Sequence, residues 1–235
     1  MIQVTSFIRW VVGFTLGTLI LLFITLAAVL FPVSIYNKPA CALLRVLVRV
    51  MGGRVTVEGA EHIDRSQVYL FMANHVSLFD VPILGGYIPI YARGLEAAEQ
   101  FNYPVLGWFL RAVGNIPIAR KNPRASWASM QHAVEELKTG KSIIILPEGT
   151  RTLSGHLSPF KKMPFQFAKM AGVPIIPIGL SGLYRFKRRT SWLLYPGPIK
   201  VKFGAPISAA EIESQTAESL QQKVREAIES LIEFQ

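Results

Sequence analysis

The chain has 235 residues, 51% of them hydrophobic and 17% charged, with a mean hydropathy of +0.35; an average soluble domain carries about 25% charge, so a disordered or highly solvated scaffold is excluded. The length suits one core of ~200 residues with an appended segment, and a single cysteine, Cys41, beside four scattered histidines argues against a disulfide-stapled fold and offers no zinc-ligand spacing. The net charge of +10 is concentrated, because residues 149–210 hold ten Lys or Arg and no Asp or Glu; three anionic partners compete for it, namely nucleic acid, an anionic membrane surface and a phosphorylated small substrate.

Residues 10–37, WVVGFTLGTLILLFITLAAVLFPVSIYN, form a run of 28 without a formal charge, and ~20 such residues suffice for a helix to cross a hydrocarbon core. The run points to a bilayer and sets nucleic acid aside, since the basic region also lacks a reader motif. It is longer than the apolar core of a cleavable signal peptide, about 7–15 residues. Lys38-Pro39-Ala40 ahead of Cys41 does not read as a lipoprotein signal, so Cys41 is taken as a small buried hydrophobe. Pro32 ends or kinks this helix, and ALLRVLVRVMGG predicts a second, amphipathic one with Arg45 and Arg49 on one face. Arg9 on one side and Lys38, Arg45 and Arg49 on the other are too balanced to orient a span, which leaves a single span or, preferred, a hairpin embedded in one leaflet. Residues 1–52 are accordingly expected to be a helical membrane anchor and residues 53–235 a single catalytic domain.

In that domain RVTVEG alternates as a strand, and QVYLFMAN is an apolar strand delivering Asn74 and His75 to its carboxyl end. Residues 106–113 and 125–138 read as helices, the second with Met130, Val134 and Leu137 on its buried face. SIIIL at 142–146 is a buried strand that breaks at Pro147-Glu148-Gly149. A helix over 165–171, strands in VPIIPIGL and IKVKFG, and one glutamate-rich helix over 209–233 capped by Ser208 complete the chain. Strands alternating with helices predict an α/β fold, a mixed sheet flanked by helices.

Familiar catalytic patterns are missing: Gly140-Lys141-Ser142 lacks the earlier glycine of a phosphate loop, and there is neither G-x-S-x-G nor H-E-x-x-H. What stands out is NHVSLFD, in which Asp80 follows His75 by five residues and can orient the imidazole as a general base. Taken alone, such a pair also fits a polar helix terminus. A base with no built-in nucleophile implies attack by a substrate hydroxyl in a direct transfer, without an acyl-enzyme. PEGTR ends the second apolar strand: Glu148 can accept from a polyol hydroxyl, Gly149 lets the backbone approach, Arg151 can hold a phosphate through two donors, and the bland alternative is a turn closed by a Glu–Arg pair. Arg120, ending GNIPIAR, is a third candidate phosphate ligand.

The ordered set NHVSLFD, GNIPIAR, PEGTR and VPIIPIGL resembles the four motifs of the glycerolipid acyltransferase family, in particular the bacterial 1-acyl-sn-glycerol-3-phosphate acyltransferases. The resemblance covers roughly residues 54–206. It implies that His75 deprotonates a glycerol hydroxyl for attack on an acyl thioester, with Asp80 orienting it, and that Arg120, Glu148, Gly149, Thr150 and Arg151 bind the acceptor's glycerol phosphate. The prolines of VPIIPIGL would shape the donor pocket or serve structure alone. It implies no metal and no bound cofactor, acyl-CoA or acyl carrier protein as co-substrate, and a lysophospholipid acceptor giving phosphatidic acid; a location on the inner membrane with the catalytic domain on the cytoplasmic side is expected from where acyl thioesters are made. One departure stands out: EAAEQFNYPVLGW has alanines where many members carry a lysine, which leaves room for another lysolipid acceptor, such as a lyso-ornithine lipid. A noncatalytic membrane-surface lipid binder is the rival from outside the enzymes.

Overall fold

The computed structural model describes residues 1–119 and 123–234. Strand β2 (Leu70–Ala73) shows how the sequence builds the layers: alternate side chains point to opposite faces, so Phe71 and Ala73 enter one apolar cluster while Leu70 and Met72 enter another. Among the described residues the sheet has seven strands in the order β1-β7-β6-β2-β5-β3-β4. The others are β1 (Gly53–Glu58), β3 (Ala92–Ala97), β4 (Ile116–Ile118), β5 (Ser142–Ile145), β6 (Ile175–Ser181) and β7 (Gly197–Phe203). All neighbouring pairs are parallel except β6 with β7, which makes the sheet mixed, as expected.

Helices α1 (Ile2–Leu30) and α2 (Val33–Val50) turn about Phe31 and Pro32, both extended. The second helix begins earlier than its amphipathic segment suggested and carries Pro39 inside it. The two pack in antiparallel register, Gly13 against Met51 and Gly17 against Leu47, with Ile20 and Ile24 meeting Tyr36 and Ala40. Gly52 passes the chain into β1 at φ +99, and a Cβ there would stand 2.8 Å from Pro196, so the turn requires glycine. Helix α3 (Asp80–Tyr87) joins α2 over one face of the sheet, where Val48, Met51, Ile83 and Leu84 are buried. Helices α5 (Pro123–Lys138), α6 (Met163–Ala171) and α9 (Ala217–Leu231) cover the other with Val134, Phe165 and Val224. Short helices α4 (Leu106–Ala112), α7 (Leu183–Phe186) and α8 (Ala209–Ser214) complete the set.

Three differences from the sequence reading have local causes. β3 and β4 escaped detection because ARGLEA mixes charges without alternation and IPI is three residues long. The one helix expected over 209–233 is two. Ser208 does cap α8, in a capping box with Glu211, but the chain turns extended at Gln215 and Thr216, and the Thr216 hydroxyl accepts Ser219 N–H to start α9.

Candidate active site

Strands β2 and β5 are parallel neighbours, with Met72 opposite Ile145. The segments that follow them, Asn74-His75 and Pro147-Glu148-Gly149, therefore leave the sheet side by side at its carboxyl end, where α/β folds place their sites. Asn74 is buried and extends the β2 ladder with its side chain: Nδ2 donates to Leu180 O at 2.9 Å and Oδ1 accepts from Leu180 N at 2.7 Å.

The next residue is held on both sides by the neighbouring turn. The His75 N–H donates to Glu148 Oε1 at 2.6 Å, and its carbonyl accepts from Thr152 N at 2.9 Å. The imidazole, 15% exposed, places Nδ1 2.7 Å from Asp80 Oδ2, and Asp80 is fully buried. Residues 75–79 loop back so that Asp80, the first residue of α3, reaches the ring across the helix N-terminus rather than along a helix. The same carboxylate accepts from Val76 N at 2.7 Å and from Ser77 N at 3.0 Å on both oxygens. A carboxylate fixed by amides at a helix N-terminus makes Nδ1 the donor and leaves the Nε2 lone pair for a substrate proton. Among the described residues no Ser, Thr or Cys side chain is hydrogen-bonded to His75, and the nearby Ser77 hydroxyl donates to Lys187 O at 2.9 Å.

An acyltransferase family model matches residues 54–181, which contain this arrangement. The chain belongs to the acyltransferase family. It is 33% identical over 172 residues to a 1-acyl-sn-glycerol-3-phosphate acyltransferase of Cocos nucifera, covering 73% of this chain and 55% of that one. A protein of the same description from Pseudomonas aeruginosa is 31% identical over 173 residues, 73% of this chain and 66% of that one. The chain thus spans little more than half the length of the coconut relative. The crystal structure of a 1-acyl-sn-glycerophosphate (LPA) acyltransferase from Thermotoga maritima shares the fold, with a TM-score of 0.85 at 22% identity over 98% of this chain and 95% of that chain.

The other candidate residues of this acyltransferase-family protein fall into two groups. Glu148 is 2% exposed, and its oxygens face backbone N–H groups, His75 at 2.6 Å and Ser158 at 2.8 Å, so its described contacts are with the chain itself. Burial pushes its carboxyl above the ordinary value, and those two amides oppose the shift. Gly149 sits at φ +70 with Lys161 packed over it, Thr150 is exposed and Arg151 half-buried. Arg120 lies outside the described residues. Among those described, no group of three or more His, Cys, Asp or Glu side chains is placed to hold a metal ion.

An apolar cavity of about 400 Å³ is lined by α1, α2, α3, α4 and the sheet. Its wall includes Leu78 and Phe79, from the loop joining His75 to Asp80, and Leu146, which leads into Pro147-Glu148. Cys41 lies on the α2 side of that wall, half-buried, with Sγ 3.2 Å from Gly85 O. Sequence reasoning missed the structural parts of Asn74, Thr152 and Ser158, which have no motif of their own beyond adjacency to NHVSLFD and PEGTR.

Proposed function

We propose that this chain moves a fatty acyl group from acyl-CoA or acyl carrier protein to the free hydroxyl of 1-acyl-sn-glycerol-3-phosphate, giving phosphatidic acid. The observation that carries the proposal is an imidazole oriented by a buried carboxylate, with no protein nucleophile bonded to it among the described residues, and with the loop between the two, at Leu78 and Phe79, forming part of the wall of an apolar cavity. The names of the Cocos nucifera and Pseudomonas aeruginosa relatives support the choice of acceptor.

His75 Nε2 takes the proton of the acceptor hydroxyl as its oxygen attacks the thioester carbonyl carbon. The tetrahedral intermediate collapses, the C–S bond breaks, and the imidazolium returns the proton to the departing thiolate. Asp80 holds the ring and stabilises the imidazolium between the two steps. The cavity takes the acyl chain, while Arg120, Glu148, Gly149, Thr150 and Arg151 form the glycerol-phosphate site. Within that set Glu148 acts by pinning the His75 backbone, and Arg151 supplies charge.

Residues 1–52 serve as the anchor and 53–235 as the transferase domain, on the cytoplasmic face of the inner membrane, where acyl thioesters are made. Among the described residues α1 is the helix long and apolar enough to cross a bilayer. Its contacts favour a one-leaflet anchor. Ser6 bonds the backbone of Leu194 and Trp10 Nε1 donates to Trp192 O at 2.6 Å near one end, while Ile20 and Ile24 pack with Val113 toward the other. Contacts from residue 6 to residue 24 cover ~27 Å of helix, so α1 lies along the domain instead of projecting from it. Exposed Trp108 and Trp192 beside it suit the headgroup layer.

The test is acyl transfer by the purified chain in detergent, with labelled acyl-CoA and acyl carrier protein, offering lysophosphatidate beside lyso-ornithine lipid and lysophosphatidylglycerol. Phosphatidic acid is the expected product, and His75→Ala abolishes its formation while membrane association persists. Activity confined to another acceptor would overturn the substrate. No transfer with any pairing, and lipid binding indifferent to Asp80 and Glu148, would return the noncatalytic binder.

A further inference from the structure

The basic stretch after α7 folds back onto the PEGTR turn. Arg189 Nη1 donates to Thr150 Oγ1 at 2.9 Å and to Arg151 O at 3.0 Å, and Arg189 itself is exposed. Its remaining N–H groups make no hydrogen bond among the described residues. Thr150, accepting from Arg189, keeps its own hydroxyl proton to donate. Lys187 is buried beside them, its Nζ donating to the carbonyls of Arg188 and Ser191. Burial first, and the charge of Arg151 second, lower its pKa.

Among the described residues no carboxylate pairs with this gathering: none of Arg151, Lys187, Arg188 and Arg189 forms an ion pair. Glu148, the acid nearest in sequence, is turned to backbone amides. Like charges brought together without a counterion repel, and an anion from outside relieves that repulsion. The site for it is the Thr150–Arg151 turn, whose backbone is joined to His75 through Glu148 and Thr152.

Resting on the function proposed above, we infer that Arg189, which lies outside all four motifs, is a specificity-determining residue that binds the acceptor's phosphate together with Arg151 and the Thr150 hydroxyl. A phosphate monoester matches the donors: the guanidinium forks of two arginines and one hydroxyl address its oxygens. The donor's own phosphates and anionic headgroups of the bilayer share this chemistry, and the experiment separates the three sources.

Steady-state kinetics of the full chain in neutral mixed micelles would vary lysophosphatidate at saturating acyl-CoA, then acyl-CoA at saturating lysophosphatidate. Arg189→Ala, Arg189→Lys and, as a control for general surface charge, Arg185→Ala are compared with the parent. Loss of a charged hydrogen-bond partner raises KM for lysophosphatidate about tenfold or more in Arg189→Ala, with kcat within about twofold and KM for acyl-CoA unchanged. Arg189→Lys recovers part of the loss, because an ammonium keeps the charge and not the fork. A rise in KM for acyl-CoA instead would assign the anion to the donor, and an equal effect of Arg185→Ala would assign it to the bilayer surface. A uniform fall in kcat with a lowered Tm would make Arg189 a strut for the turn; each of these results, like no change at all, overturns the inference. Calorimetric titration of short-chain lysophosphatidate into the parent and Arg189→Ala keeps the matter independent of turnover. Tight binding lost in the variant supports Arg189 even if no transfer is detected, and that second failure would count against the proposed function alone.

Discussion

Replacing Asp80 with asparagine removes one charge while nearly conserving shape, and the geometry dictates which way the amide turns. Oδ2 accepts from His75 Nδ1 and Val76 N, each at 2.7 Å, and from Ser77 N at 3.0 Å, whereas Oδ1 accepts from Ser77 N alone. The amide oxygen therefore takes the Oδ2 place, and the NH2 faces the Ser77 N–H. The Ser77 N–H keeps the amide oxygen as its one remaining acceptor, but the buried NH2 group now faces that N–H with no acceptor of its own, at about 1–3 kcal/mol of stability. The His75 tautomer survives, so the catalytic loss is electrostatic. A unit charge at about 4 Å in a partly screened site stabilises an imidazolium by ~4 kcal/mol, and at about 1.36 kcal/mol per decade the variant loses ~10³ in kcat. Single-turnover transfer from labelled acyl-CoA to lysophosphatidate measures this directly, with a thermal unfolding curve on the same preparation. A variant that retains more than about a tenth of the parental kcat while folded refutes the reasoning, because Asp80 would then be a helix-terminus cap and nothing more.

Glu148→Gln keeps one acceptor for two backbone donors, so either His75 N–H or Ser158 N–H is left unpaired; the expected cost is about 1–3 kcal/mol in chemical denaturation, with lowered kcat as the His75 backbone loosens. Gly17 lines the cavity, and a Cβ there meets Leu47 at 3.8 Å without a clash. Gly17→Leu should therefore fold and shift donor preference to shorter chains, by about 0.8 kcal/mol for each methylene excluded; parental chain-length preference in a donor series would remove the cavity from the acyl role. Glu211 is held at about 2 by its hydrogen bond to Lys223 and by the Ser208 amide. A depressed carboxyl contributes stability above its ordinary value of 4.5 and loses it as pH falls toward about 2. Glu211→Gln should flatten that part of the acid unfolding curve, and an unchanged curve from pH 5 to pH 2 would contradict the assignment.

The sheet core was legible because strands such as SIII and IIPIGLS are continuous apolar runs, the pattern of a parallel sheet buried on both faces. The pairing of His75 with Asp80 was legible for a related reason: the polar residues follow an apolar strand directly. Strand order was not. Nothing local to NHVSLFD or PEGTR says that β2 and β5 are neighbours, yet that adjacency is what sets the Glu148 carboxylate against the His75 N–H. The C-terminal break was readable in principle, since Thr216 stands three residues before Ser219 as a second cap, but the apolar periodicity continues across it and hid the stop. Arg189 was invisible because its contacts span 38 and 39 residues of sequence.

The bond from Trp10 to the Trp192 carbonyl has a meaning beyond attachment. Trp192 lies three residues from Arg189, and the Trp10 ring stacks on Phe14, tilts against Phe79 and lies 5.8 Å from the Lys187 ammonium. The first helix is thus a working part rather than a tether: it walls the cavity, braces the loop between His75 and Asp80, and fixes the ribbon of chain that carries Arg189. Cutting it away to obtain a water-soluble domain would open the cavity and loosen that ribbon at once. Whatever holds this helix in place therefore also holds the loop between His75 and Asp80 and the ribbon that carries Arg189.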